Sequence, residues 1–239
     1  MSVDVRIDPE VTTETVGGVE VRISALLLGG IPRGAAVVLA GPGGMRPVEA
    51  VDTMNALAQH GYESVMAEPA ADACGDALGT ELVARLVERV AARDWTLEQT
   101  GLIGYGEGAR LAMLAAARTT FGAAVSVPRE RADILAPEAV ALRTPWLGMT
   151  GLGPGRHASA ELVAHERRLS DASTQHVSLV GYPGVEHCLQ DSVDGLAHQA
   201  VFDSWQRTVE WLNIHVAPRP TPLIQAWDER EALDRTPRH

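Results

Sequence analysis

Apolar and polar positions alternate along this chain in two rhythms, short apolar runs and longer amphipathic stretches. Residues 19–28 alternate and then turn apolar before Gly29-Gly30, the pattern of a strand that ends in a turn. Residues 35–40 are apolar throughout and stop at Gly41-Pro42-Gly43-Gly44, as a strand buried on both faces does. In residues 47–60, Ala50, Val51, Met54, Leu57 and Ala58 recur at helical spacing, and Gly61 ends the stretch. The same reading places strands at 62–67, 101–104, 121–127, 145–150 and 176–180. It places helices at 80–92, 108–118, 158–169 and 196–215. From residue 35 onward strand and helix alternate, which predicts a parallel sheet with helices on both faces.

The chain has 239 residues, and no linker divides the patterned part, so residues 1–216 read as one α/β domain. Pro218, Pro220 and Pro222 then break the chain, and 217–239 form a Pro-rich tail. Leu223, Ile224 and Trp227 make a small apolar cluster on that tail. Soluble proteins tend to cover such clusters, so the tail is expected to dock on its own domain or to clasp a second subunit in a homodimer.

Composition narrows the partners. Aromatic residues are 4% of the chain, so the core is aliphatic and base-stacking surfaces are disfavoured. Twenty basic residues stand against 31 acidic ones, and no basic stripe exists for a nucleic acid to follow. The longest apolar runs are strand-length, so no membrane span is expected. Cys74 and Cys188 form no CxxC and no disulfide framework. With no apolar leader near the N-terminus, the reading is a cytoplasmic protein with a small-molecule ligand.

The segment Leu102-Ile103-Gly104-Tyr105-Gly106-Glu107-Gly108-Ala109 is a strand, a Gly-rich turn and a helix start. Two motifs compete for it. As a nucleophile elbow, G-x-nucleophile-x-G, Gly104 and Gly108 flank the slot, and Gly106 occupies it without a side chain. As a dinucleotide fingerprint, G-x-G-x-x-A, the matches are Gly104, Gly106 and Ala109. Against the second stands position: that motif opens its first βαβ unit, and here about 100 residues of α/β pattern precede it. His187 follows the last strand and precedes the last helix, where a triad histidine sits in the order nucleophile, acid, histidine. The other histidines show no HxH or HExxH spacing, and no metal or cofactor is expected.

Residues 11–213 resemble the dienelactone hydrolase family. The resemblance is carried by the strand pair around Val16-Gly17-Gly18-Val19, by Ala40-Gly41-Pro42-Gly43-Gly44-Met45 and by Leu57-Ala58-Gln59-His60-Gly61-Tyr62. The 104–108 elbow, Thr144-Pro145-Trp146-Leu147, the stretch 182–187 and the helix at 202–212 complete it. It implies a three-layer α/β-hydrolase fold and hydrolysis of esters or lactones by a Cys or Ser, an Asp and a His, without metal or cofactor. It also implies a pocket beside Pro42, Gly43, Tyr105 and Pro154.

The sequence departs from that pattern at three points of the chemistry. The nucleophile position is Gly106. The loop where the acid belongs reads Leu152-Gly153-Pro154-Gly155-Arg156-His157, without a carboxylate. Pro42 stands where an oxyanion-hole N–H is needed, and losing one such donor costs about 3–4 kcal/mol. Together they point to a member that has left conventional hydrolysis and uses its pocket for binding or its surface for interaction. One alternative keeps an active hydrolase or lyase in which His187 works with Glu107 or water, with Glu130 or Asp133 replacing the lost acid. Glu107 could also offer its backbone N–H as an oxyanion donor. The other alternative is nucleotide binding through Gly104, Gly106 and Ala109.

Overall fold

The all-apolar run forms the strand Gly34–Ala40 (β3), in which every residue is buried. It lies inside an eight-stranded sheet. The computed structural model describes residues 6–40, 45, 47–69, 76–135, 141–153, 157–188, 195–221, 223–224, 226–227 and 230–231. Ahead of β3 come β1 (Glu10–Val16) and β2 (Val19–Leu26). After it follow α1 (Pro47–Gln59), β4 (Tyr62–Pro69), α2 (Asp76–Ala91), β5 (Thr100–Tyr105) and α3 (Gly108–Arg118). The chain continues through β6 (Ala123–Val127), β7 (Trp146–Gly153), α4 (His157–Ala172), β8 (Val177–Pro183) and α5 (Gly195–His215).

The strand order is β1-β2-β4-β3-β5-β6-β7-β8. β1 pairs with β2, and β2 with β4, in antiparallel sense; the remaining pairs are parallel. The β1–β2 turn is Gly17-Gly18, with φ of 58° and 81°, a hairpin geometry that glycine adopts without strain. One face of the sheet packs against α2, α3 and α4 through Leu82, Leu86, Ala112, Met113, Leu162 and Leu169. The other packs against α1 and α5 through Met54, Leu57, Ala200, Trp211 and Leu212. Three layers result, as the alternation of elements implied. No helix among the described residues is long and apolar enough to cross a membrane.

Several boundaries differ from the sequence reading. β2 stops at Leu26, and the next residues leave the sheet so that the Leu28 N–H can donate to Glu63 Oε1 at 3.0 Å. β7 runs on to Gly153, past the strand end expected at 150. Its partner β8 also continues, to Pro183, with a register shift between Gly151 and Gly153. Glycine-rich sequence reads as loop, but here the glycines sit within a paired strand because neighbouring chain crowds it. A Cβ on Gly151 would run into the backbone of Val185 and Glu186.

The topology also marks a candidate position for a site. β4 lies on one side of β3 and β5 on the other, so the connections leaving β3 and β5 diverge. Open α/β sheets bind ligands at the carboxyl ends of the strands at such a switch point.

Candidate functional site

β5 delivers the chain to Gly106, which is buried and has φ 58°. The Gly106 N–H donates to Val127 O at 2.9 Å, tying the turn to the end of β6. The Ala109 N–H donates to Gly106 O at 3.1 Å as α3 begins. A Cβ on Gly104 would collide with the Gly108 carbonyl, and one on Gly108 with the Leu39 carbonyl of β3. The flanking glycines therefore let α3 start almost in contact with two strands. Gly104 is a buried strand residue, and with Ala109 it serves this helix–strand packing.

A buried polar relay fixes the same helix start. Trp146 Nε1 donates to Ser126 Oγ at 2.9 Å, and Ser126 Oγ donates to Ala109 O at 2.8 Å. β7, β6 and the first turn of α3 are thereby joined through groups that would be costly to leave unpaired.

His187 stands on the loop after β8. That loop is fastened to the end of β7 by Gly153 N to Val185 O (2.8 Å) and Gly184 N to Gly153 O (3.0 Å). It lies across β7, close to Gly151, and carries the imidazole toward the end of β6. There Arg129 Nη1 lies 3.4 Å from His187 Nε2. Arginine is only a donor, so Nε2 accepts in this contact. Arg129 was not singled out in the sequence. Within Pro128-Arg129-Glu130-Arg131 nothing distinguishes it from a solvated surface cation.

The candidate acids gather on the Gly106 side. Glu107 is exposed and occupies the N-cap position of α3 without a side-chain cap bond. Burial raises the Asp133 carboxyl above its usual range, and the charges of Glu130 and Glu107 add to this. A backbone hydrogen bond from Glu130 and the charge of Arg110 oppose it.

Tyr105 is buried in the core on the α1/α5 side, and burial raises its phenol strongly. Cys188 is buried, with Sγ 3.5 Å from Met149 O, and burial pushes its thiol up to about 12. Burial therefore disfavours the thiolate, the nucleophilic form of this side chain. Pro42, Gly43 and Pro154 lie outside the described residues. Among the described residues, no group of three or more His, Cys, Asp or Glu side chains is arranged to hold a metal ion. His165 is a core residue, 3.1 Å from Ile134 O and 3.0 Å from Arg168 Nη2.

Comparison with known proteins fits this geometry. A putative dienelactone hydrolase from Klebsiella pneumoniae superposes with a TM-score of 0.60 at 20% identity, covering 86% of this chain and 98% of that one. Esterase 2 of Thermogutta terrifontis, solved phosphorylated by paraoxon, superposes with a TM-score of 0.67 at 14% identity, covering 91% and 98%. At such identities the likeness establishes the fold, a three-layer α/β-hydrolase. No curated protein matches the chain by sequence. The sequence model of the dienelactone hydrolase family matches residues 30–216, and the chain belongs to that family.

Proposed function

We propose that this family member binds a small molecule at the carboxyl ends of β3, β5 and β6 and does not hydrolyse esters or lactones through an acyl-enzyme. The observation that carries this reading is Gly106 at the elbow, with φ 58° and no side chain. An acyl-enzyme needs an oxygen or sulfur nucleophile, and a hydrolase deprived of it loses on the order of 10⁶ in kcat. The contact of His187 Nε2 with Arg129 supports the same reading. In a triad that nitrogen takes the nucleophile's proton. Here a guanidinium N–H is aimed at that nitrogen's lone pair, and a permanently protonated donor leaves the imidazole no nucleophile to activate.

Two measurements test this. The Thermogutta esterase is phosphorylated by paraoxon. Intact-mass analysis of this chain after paraoxon treatment is expected to show no adduct, and p-nitrophenyl acetate no turnover above the buffer rate. Gly106→Ser is expected to fold and to remain inactive, because Arg129 still meets Nε2. Turnover that His187→Ala abolishes would overturn the proposal, as would esterase activity gained by Gly106→Ser.

A further inference from the structure

The chain leaves α5 and is tied down at once. The Ala217 N–H donates to Glu98 O at 2.9 Å, and the Arg219 N–H to Arg33 O at 3.2 Å. The Arg219 guanidinium lies 3.8 Å from the centre of the Trp95 ring, and Nη2 donates to Arg93 O at 2.9 Å. These contacts carry the tail from the α1/α5 side, past the segment ahead of β5, to the end of α2. Beyond them Leu223, Ile224 and Trp227 are 81%, 50% and 60% exposed. With Ala226 and Arg230 they line one concave surface of the tail.

An apolar groove of about 350 Å³ lies between α2 and α3, walled by Val83, Val87, Leu97, Leu111, Leu114 and Phe121. Leu97 adjoins Glu98, whose carbonyl holds Ala217, so the groove lies beside the root of the tail. Leu97 and Phe121 precede β5 and β6, at the end of the sheet opposite Gly106. Occupation there does not compete with the candidate site.

We infer that Leu223, Ile224 and Trp227 of one copy fill the α2–α3 groove of a second copy, reciprocally, in a two-fold dimer. Beyond Arg219 the apolar side chains of the tail stay exposed on their own chain. A second copy can receive them without undoing any of the anchoring contacts. Three large side chains in each of two grooves, counted with the walls they cover, hide on the order of 1,000 Å², the size at which specific interfaces begin. Reciprocal exchange also closes the assembly, so it yields a dimer and not a filament.

Sedimentation equilibrium of the full chain, with hydrogen exchange alongside, tests the exchange. The wild-type chain is expected to be a dimer at micromolar concentration. Leu223→Ser with Trp227→Ala empties the tail. Ala84→Arg, at an exposed position lining the groove, fills the groove without touching the core. Each variant is expected to raise the dissociation constant about tenfold or more. An equimolar mixture of the two retains one intact tail–groove pair and is expected to associate more tightly than either variant alone. Amide protection at 83–88 and 111–118 should fall on dilution. A wild-type monomer at high concentration would overturn the inference, as would a dimer indifferent to both variants. Groove protection in a dilute monomer that falls in the Leu223→Ser, Trp227→Ala chain would overturn it too, by showing that the tail closes on its own chain.

Discussion

Gly106 and Gly108 are glycines for different physical reasons, and substitution separates them. Gly106 needs φ 58°, which an L residue adopts at a cost of about 1–2 kcal/mol. At Gly108 the obstacle is space, because a Cβ would meet the carbonyl of Leu39 on a central strand. A backbone carbonyl in a paired sheet cannot turn aside, so Gly108→Ala is expected to cost about 3 kcal/mol, the upper range for overpacking. Urea denaturation of Gly106→Ala and Gly108→Ala checks the order; equal losses would remove the distinction. The glycine turn between β5 and α3 was legible in the sequence because strand, glycine spacing and helix start frame it. Arg129 was not legible, because its meaning depends on the loop that brings His187 across β7. Sequence spacing carries no trace of that crossing.

At the scale of elements, α5 ends in a cluster that responds to acid. The Trp211 ring lies 4.8 Å from the His176 ring and 4.4 Å from the His215 ring, centre to centre. His215 Nε2 is buried without a hydrogen-bond partner among the described residues. Burial, and then the neighbouring His176, lower the His215 pKa below its ordinary value. The folded chain therefore binds this proton less readily than the unfolded chain. The resulting stability is full above the unfolded value of about 6.5 and is lost as pH falls through it. His165 acts in the same sense, lowered by burial and then by Arg168, with its bond to Ile134 O opposing. His215→Phe keeps an aromatic ring beside Trp211 and removes one titration. Unfolding free energies at about pH 7.5 and pH 5.5 should show a smaller acid loss in this variant, with a remainder from His165. An unchanged slope would remove His215 from the account. The helical spacing in 196–215 disclosed the buried face of α5, but the pairing of His176 with His215 arises only when β8 and α5 pack.

The molecule as a whole is drawn together at Glu63, a residue the hydrophobic pattern passes over because it lies inside a strand. Its carboxylate is buried and accepts from Leu28 N at 3.0 Å, Arg93 Nη2 at 2.7 Å and Trp95 Nε1 at 2.9 Å. Burial alone would raise its pKa. The hydrogen bonds from Arg93, Trp95 and Leu28 outweigh that and hold the carboxyl below its usual range. Since Arg219 stacks on Trp95, this one side chain supports the β2–β3 connection, the end of α2 and the root of the tail together. The alternation of strands and helices made the layers legible, and it could not show what closes their lower edge. Glu63→Leu leaves three donors without their acceptor and is expected to cost about 3 kcal/mol. Arg93→Ala, at a half-exposed cation, is expected to cost about 1 kcal/mol. The wild-type contribution from Glu63 is present above the unfolded carboxyl value of about 4.3 and is lost as pH falls through the lower folded value. Glu63→Leu should therefore be less stable at neutral pH and lose less on acidification below about pH 4 than the wild type. Parallel denaturation curves for the two chains across that range would show that the carboxylate bears no such load.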